Sequence, residues 1–300
     1  MPSFRSPRAQ AAHAVQSKTT HGQPRHGHQN SGAIHSIGTE RNYSQALAGV
    51  TTWLHANHQG NLKNLTPEQA HQYLYERASR VGQKTLDLDR QAMQMHLGHT
   101  LDRIASTKLP SALATESRAY TPTQVMEITS QMPANFALAT NIALAAGLRA
   151  CELLTLRPTE EKMASGHREW SDNRFSGQEN HVRYTVTGKG GLIREVTIPR
   201  DLASQLEVRR LSESQKVSDR GIFRSKAYDI PGGKKFSEQF SATSKQVLGF
   251  SLGAHGLRHT YAQKRVSELQ ANGHSITEAK GITAQELGHF SMTTTEAYLR

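Results

Sequence analysis

Residues 254–262 read AHGLRHTYA. A glycine just before a run of helix-forming residues marks a helix start. His255 and Arg258, three positions apart, then share one face and can meet one ligand. The helix N-terminus adds positive potential at that place. His259, next to Arg258, is expected to point elsewhere, for packing or an interior hydrogen bond. Downstream, residues 287–300 read LGHFSMTTTEAYLR, with Gly288 allowing close backbone approach beside His289 and Tyr298 nine residues further on. Either Tyr298 is a frayed terminal aromatic or the rest of the chain serves it.

Upstream, residues 145–154 read AAGLRACELL. A guanidinium in an apolar helix is costly unless it is paired. Glu152, three residues after Arg149, falls on the same helical face and can pair with it. The pair reads either as a buried structural ion pair or as an anion-binding arginine held by its carboxylate. Between these boxes, HVRYTVTGKGGLIREVTIP at 181–199 alternates as a β-hairpin, with Val182, Tyr184 and Val186 on one arm and Ile193, Val196 and Ile198 on the other. Lys189 stands at the glycine-rich tip. Helical segments are expected near 201–211, 236–249, 257–270 and 283–288, so this half is mainly α with a small antiparallel β-sheet.

The first half is different. Residues 1–37, rich in Ser, Gly, Gln, His and basic side chains, lack apolar periodicity and read as a basic, disordered arm touching phosphates. His13, His21, His26, His28 and His35 lack the regular spacing of a metal site. From 38 to 106 the pattern is helical. Thr39 is expected as a cap, followed by Tyr43, Leu47, Val50 and Leu54 at helical intervals. Thr66 caps a second helix with Pro67 in its first turn, and 83–104 is again amphipathic. LGHT at 97–100 echoes LGHF, but Lys108 stands nine after His99, so the echo is read as coincidence. Residues 107–121 read as a linker and 122–300 as a second domain.

Composition bounds the partners. Lys plus Arg number 36 against 25 Asp plus Glu, a formal charge of +11, which favours a polyanion and makes nucleic acid the default partner. The single cysteine, Cys151, excludes an internal disulfide and a cysteine-based zinc site. It also points to a reducing compartment. No apolar run has a spanning length and no secretory signal is visible at the start, so a soluble cytoplasmic protein is expected.

The clustered residues suit attack of a tyrosine on a phosphodiester. A phenol with pKa near 10 is only about 0.1% ionised at neutral pH, so it needs a base, for which His255 is suited. Charge gathering on the non-bridging oxygens can be held by two arginines, Arg149 and Arg258. The departing alkoxide needs a proton donor, and Lys189 on its mobile turn can supply it. His289 completes the cage as a hydrogen-bond donor.

In order and separation, GLRACELL, TGKGG, HGLRH and LGH with Tyr298 resemble the tyrosine recombinase (phage integrase) family. The resemblance covers about 120–300, and the helical region before it looks like that family's core-binding, SAM-like domain. It implies DNA cleavage without metal or cofactor, through a 3′-phosphotyrosine and a Holliday junction, in a site-specific recombinase of a mobile element. Its catalytic set would be Arg149, Lys189, His255, Arg258, His289 and the nucleophile Tyr298. Its partners would be double-stranded DNA, other protomers in a tetramer on DNA, and accessory DNA-bending or directionality factors, with no membrane. Its location would be the bacterial cytoplasm, at the nucleoid. Two departures stand out: Ala146 replaces a common Thr, and little chain follows Tyr298. A loosely held tyrosine segment and a monomer in free solution are therefore expected. Two alternatives stand beside it: a type IB topoisomerase-like enzyme, which would use the same chemistry, and a non-catalytic DNA-binding protein, in which the basic boxes would serve phosphate contacts alone.

Overall fold

The computed structural model describes residues 6–21, 32–109, 117–291 and 295–299. The chain divides into two compact units, Met1–Ala114 and Thr115–Arg300. Among the described residues no helix is long and apolar enough to cross a membrane.

The first unit packs α1 (Pro7–Gln16), α2 (Ile37–Ala56), α3 (Pro67–Ala78) and α4 (Gln83–Leu97) around Leu47, Val50, Leu54, Leu74, Leu86 and Met93. Helix α2 starts earlier than expected. Ser36, not Thr39, is its cap, and its hydroxyl accepts the Thr39 N–H at 3.1 Å. Thr66 and Gln69 form a reciprocal capping box at α3, with Pro67 in the first turn. Helix α4 stops where Gly98 turns left-handed.

The expected disordered arm is corrected for its described part. Residues 7–16 form α1, which buries Ala11 and Val15 fully in the core they share with α2. Two small apolar residues four apart leave almost no periodic signal, and docking on α2 stabilises a segment that cannot fold alone. Beyond it, Thr19 bridges Ile34, and the Lys18 ammonium donates to the Met95 carbonyl at 2.7 Å. His21 faces Glu40 and His35 faces Thr20. His26 and His28 lie outside the described residues.

In the second unit, α5 (Pro122–Ser130), α6 (Ala134–Ala145), α8 (Gly233–Leu248) and α9 (Gly256–Ala271) enclose a core with Ile142, Phe236, Phe240 and Leu257. A three-stranded antiparallel sheet of β1 (Arg157–Pro158), β2 (His181–Thr187) and β3 (Ile193–Pro199), in the order β1-β2-β3, adds Tyr184, Val186, Val196 and Ile198. Helix α7 (Arg200–Glu207) follows β3, and α10 (Ile276–Glu286) follows α9. Ser275 and Glu278 form a capping box that starts α10 at Ile276, well before the expected 283.

Two further expectations are corrected. The helix near 201–211 ends at Glu207, and β4 (Arg210–Asp219) pairs with β5 (Ile222–Tyr228) in a hairpin. Its two-residue turn, Arg220 and Gly221, has positive φ of 54° and 80°. Strand β4 is mostly exposed and polar on both faces, so it carries no alternation to read. The apolar helix expected to carry Arg149 and Glu152 is likewise not formed. Helix α6 ends at Ala145, Gly147 turns with φ 58°, and a 3₁₀ turn spans Glu152–Thr155. A Cβ on Gly147 would lie 2.6 Å from the Tyr261 ring, so both conformation and space demand glycine there.

Candidate active site

Glu152 is the hub of the site. Its carboxylate is fully buried and accepts from the Arg149 backbone N–H and the Arg149 guanidinium, each at 2.8 Å. The turn that precedes the 3₁₀ segment makes this possible: the Glu152 N–H donates to the Arg149 carbonyl at 2.8 Å, so the two pair across a turn rather than along a helix. The Arg194 guanidinium donates to the same carboxylate at 2.8 Å, and Arg258 lies 3.8 Å away. Burial pushes the Glu152 carboxyl up, but Arg194, Arg149 and Arg258 together pull it down to about 2. Three guanidiniums around one carboxylate leave two positive charges uncompensated, a surplus suited to an anion.

Arg258 is wholly buried at the start of α9. It donates to the carbonyls of Gly147 and Leu287, which ties the α6 exit to the α10 exit. Among the described residues its Nε has no hydrogen-bond partner. Burial and the nearby Arg149 push this guanidinium down to about 9, so it still carries its charge at neutral pH. Arg149 and Arg258 converge on His289, each placing an Nη2 at 3.2 Å from Nε2. A guanidinium only donates, so His289 Nε2 accepts and its proton sits on Nδ1, 3.4 Å from the Thr295 hydroxyl. Burial and the charges of Arg258 and Arg149 push the His289 imidazole down to about 3. Gly288, with φ 69°, leaves room for the Arg194 stem, which a Cβ would meet at 2.8 Å.

Tyr298 is brought to this cluster and is 8% exposed. Its hydroxyl is 3.0 Å from His255 Nε2. Its ring centroid lies 4.6 Å from that of His259, 5.3 Å from that of His289 and 5.7 Å from the Arg258 guanidinium carbon. Part of His255 faces solvent, but its ring rests against Tyr298 and His259. Burial of that ring and the charge of Arg258 push it down to about 4. His255 is therefore neutral and can accept a proton.

The loosely held tyrosine segment is corrected. Leu299 packs against the clusters of Tyr261 and Leu287 and of Val266 and Leu269, and the Gln263 amide donates to the Tyr298 carbonyl at 3.2 Å. Thr293 and Thr294 lie outside the described residues, whereas Thr295 is fully buried. His259 does not point away: four residues after His255 it shares that face of α9 and supports the tyrosine ring.

The structure thus gathers Arg149, His255, Arg258, His289 and Tyr298. Lys189 stands apart, exposed in the turn between β2 and β3. Its neighbour Gly188 sits against the pair beneath, where a Cβ would lie 3.0 Å from Glu152 Oε1 and 3.7 Å from the Arg149 guanidinium. The hairpin tip therefore overhangs the site. Sequence reasoning missed Arg194, a buried arginine that also donates to the Glu286 carbonyl at 2.8 Å and so holds the α10 end that leads to His289. The signal was present: Arg194 is in register with Val186 and on the same face of β3 as Val196 and Ile198, so a charge occupies an inward position.

No protein-family model and no curated protein matches the sequence. Among solved structures, the lambda integrase(75–356) dimer bound to a COC′ core site matches with TM-score 0.53 and 15% identity, over 88% of this chain and 89% of that one. XerH site-specific recombinase bound to palindromic difH substrate matches with TM-score 0.53 and 13% identity, over 88% and 77%. The Tn1549 transposon integrase in complex with transposon right end DNA matches with TM-score 0.52 and 12% identity, over 97% and 95%. The chain has the tyrosine-recombinase fold, mainly α with small antiparallel sheets.

Proposed function

We propose that the chain is a site-specific DNA recombinase of the integrase type, which cuts and rejoins double-stranded DNA through a covalent tyrosine intermediate. One observation carries the reading: the Tyr298 hydroxyl lies 3.0 Å from a neutral histidine, beside two arginines with surplus positive charge.

A phosphodiester oxygen is a stronger acceptor than a neutral imidazole. A scissile phosphate would therefore displace His289 Nε2 from Arg149 and Arg258 and take their N–H groups. Tyr298 Oη attacks phosphorus and passes its proton to His255 Nε2. As the tyrosyl oxygen–phosphorus bond forms, the bond from phosphorus to the 5′ oxygen breaks. Lys189, on the overhanging turn, gives that oxygen a proton. The products are a 3′-phosphotyrosine and a free 5′-hydroxyl. Both non-bridging oxygens remain held by the arginines, which lose no proton and need no reorganisation. Attack by a 5′-hydroxyl from a second strand reverses these steps and completes an exchange. Freed from the arginines, His289 can take the other tautomer, in which Nδ1 accepts from the Thr295 hydroxyl and the Nε2–H donates to the phosphate. In this reading residues 38–106 are a second DNA-contacting domain, 107–121 the linker and 122–300 the catalytic domain, with protomers assembling as a tetramer on DNA.

Tyr298 docked on three histidines supports the enzyme over a non-catalytic DNA binder, for which that constellation has no use. The test is covalent capture on a pool of nicked duplexes randomised around the nick, so that the short cleaved fragment diffuses away. A protein band carrying labelled DNA on a denaturing gel is expected. Binding of the pool with no such band would overturn the reading.

A further inference from the structure

A ladder of alternating guanidiniums and rings runs outward from His289. Phe290, the next residue, is 42% exposed, and the Arg168 guanidinium lies 4.6 Å from its ring centroid. Trp170 packs on the same ring at 5.1 Å. Arg174 stacks on Trp170 at 4.5 Å and lies 5.3 Å from Phe175. The segment from 165 to 176 that supplies these residues is pinned rather than free. The Ser171 and Phe175 N–H groups donate to the Gln285 and Glu286 side chains of α10 at 2.7 and 2.8 Å, and Arg265 donates to the Ser176 carbonyl at 2.9 Å.

The arginines of the ladder differ in one respect. Arg174 pairs with Glu195 at 3.3 Å and is largely withdrawn from solvent. Arg168 is exposed, and among the described residues no carboxylate pairs with it. The Phe290 face, itself backed by Trp170, and a pinned loop hold this uncompensated cation at the end of the ladder beside His289. Its guanidinium lies on the order of 10 Å from that residue, given one Cα step and one stacking distance. A duplex strand carries a phosphate about every 3.4 Å of helix axis, so a strand whose reacting phosphate sits between Arg149 and Arg258 presents others within that reach.

We infer that Arg168, clamped on Phe290, binds a backbone phosphate of the cleaved strand one to three positions from the reacting one, and so sets the register of that strand in the site. The inference rests on the recombinase reading above. Stacking leaves the edge of the guanidinium free for two parallel hydrogen bonds to phosphate, and the clamp removes most of the side-chain freedom that binding would otherwise have to freeze.

The test compares the wild type, Arg168→Gln and Arg168→Lys on the nicked duplex pool, with binding measured across salt. Losing one phosphate contact lowers the log–log salt slope by about 0.9, so the wild type's advantage over Arg168→Gln should shrink about 3.5-fold between 50 and 200 mM salt. Arg168→Lys should keep the slope. A methylphosphonate scan then locates the contact: one neutralised phosphate within three of the nick should weaken the wild type and leave Arg168→Gln unaffected. Unchanged melting of Arg168→Gln, an exposed substitution, shows that the fold is intact. An unchanged slope, or equal sensitivity of both proteins to every methylphosphonate, overturns the inference. Covalent capture by the wild type, measured in parallel, separates that outcome from failure of the recombinase reading itself.

Discussion

Replacing Glu152 by Gln should cost the second unit more stability than any other single-atom exchange in the site. The carboxylate is fully buried and faces Arg149 and Arg194 at 2.8 Å and Arg258 at 3.8 Å. The amide keeps one acceptor oxygen but turns an N–H₂ towards a guanidinium that can only donate, and it leaves two buried cations and the half-buried Arg149 without a counter-charge. Breaking a buried pair in this way costs about 3–5 kcal/mol. Proton affinity gives a matching figure. A carboxyl lowered from 4.5 to about 2 contributes about 3 kcal/mol, at about 1.4 kcal/mol per tenfold change in affinity. For a unit of this size the melting temperature should fall by roughly 6–20 °C. Urea unfolding followed by Trp170 fluorescence, in a Trp53→Phe background, reads this unit alone. The sign with pH is fixed. The native carboxyl binds its proton less readily than the unfolded one, so its contribution is complete above pH 4.5 and fades as pH falls towards 2. The wild type should lose its advantage over Glu152→Gln in that window. A loss below about 1 kcal/mol at pH 7, or an advantage that persists at pH 2, would refute the hub.

The histidines give a second pH signature. His255 and His289 are pushed down to about 4 and about 3, so their ring carbon resonances should show neutral imidazoles down to pH 5; a midpoint near 6.5 for either would contradict the packing around Tyr298. The unfolded chain binds these protons more readily, so stability should decline as pH falls below 6.5. Lys189→Ala should slow covalent capture by roughly two to four orders of magnitude. A 5′-phosphorothiolate leaving group, which needs no proton, should recover most of that loss, and failure to recover would make Lys189 a structural residue. Deleting residues 1–21 should destabilise the first unit by about 2 kcal/mol, because Val15 and Ala11 leave the core. An unchanged urea midpoint, read through Trp53 fluorescence in a Trp170→Phe background, would show that α1 does not dock.

What the sequence conveyed depended on whether a signal was local. Caps and periodicity marked α3, because Thr66, Pro67 and Gln69 act within one turn. The β2–β3 hairpin was marked by alternation around a glycine turn. Strand β4 was illegible because its exposed polar residues suit either structure, and the arginine at its turn is an unusual left-handed residue. The boxes around Arg149, His255, Arg258 and His289 could be singled out, since charge and histidine stood out among apolar neighbours. What joins them could not. Arg194 and Glu286 contribute through contacts 42 and 92 positions away, and a strand register or a helix exit places such partners rather than any spacing in the chain. The ladder on Phe290 is likewise a product of tertiary folding, from an irregular segment with no periodicity. The docked tyrosine was hidden because a threonine run suggests fraying, whereas Leu299 and three imidazoles hold the segment.

The central claim is that Tyr298 forms the covalent bond to DNA. Capture on the nicked duplex pool, followed by protease digestion and mass spectrometry of the DNA-linked peptide, tests it most directly. The account predicts a nucleotide 3′-phosphate on Tyr298 and no other residue, together with loss of all adduct in Tyr298→Phe at nearly unchanged DNA affinity. An adduct that persists in Tyr298→Phe, or one mapped to a different side chain, would contradict it.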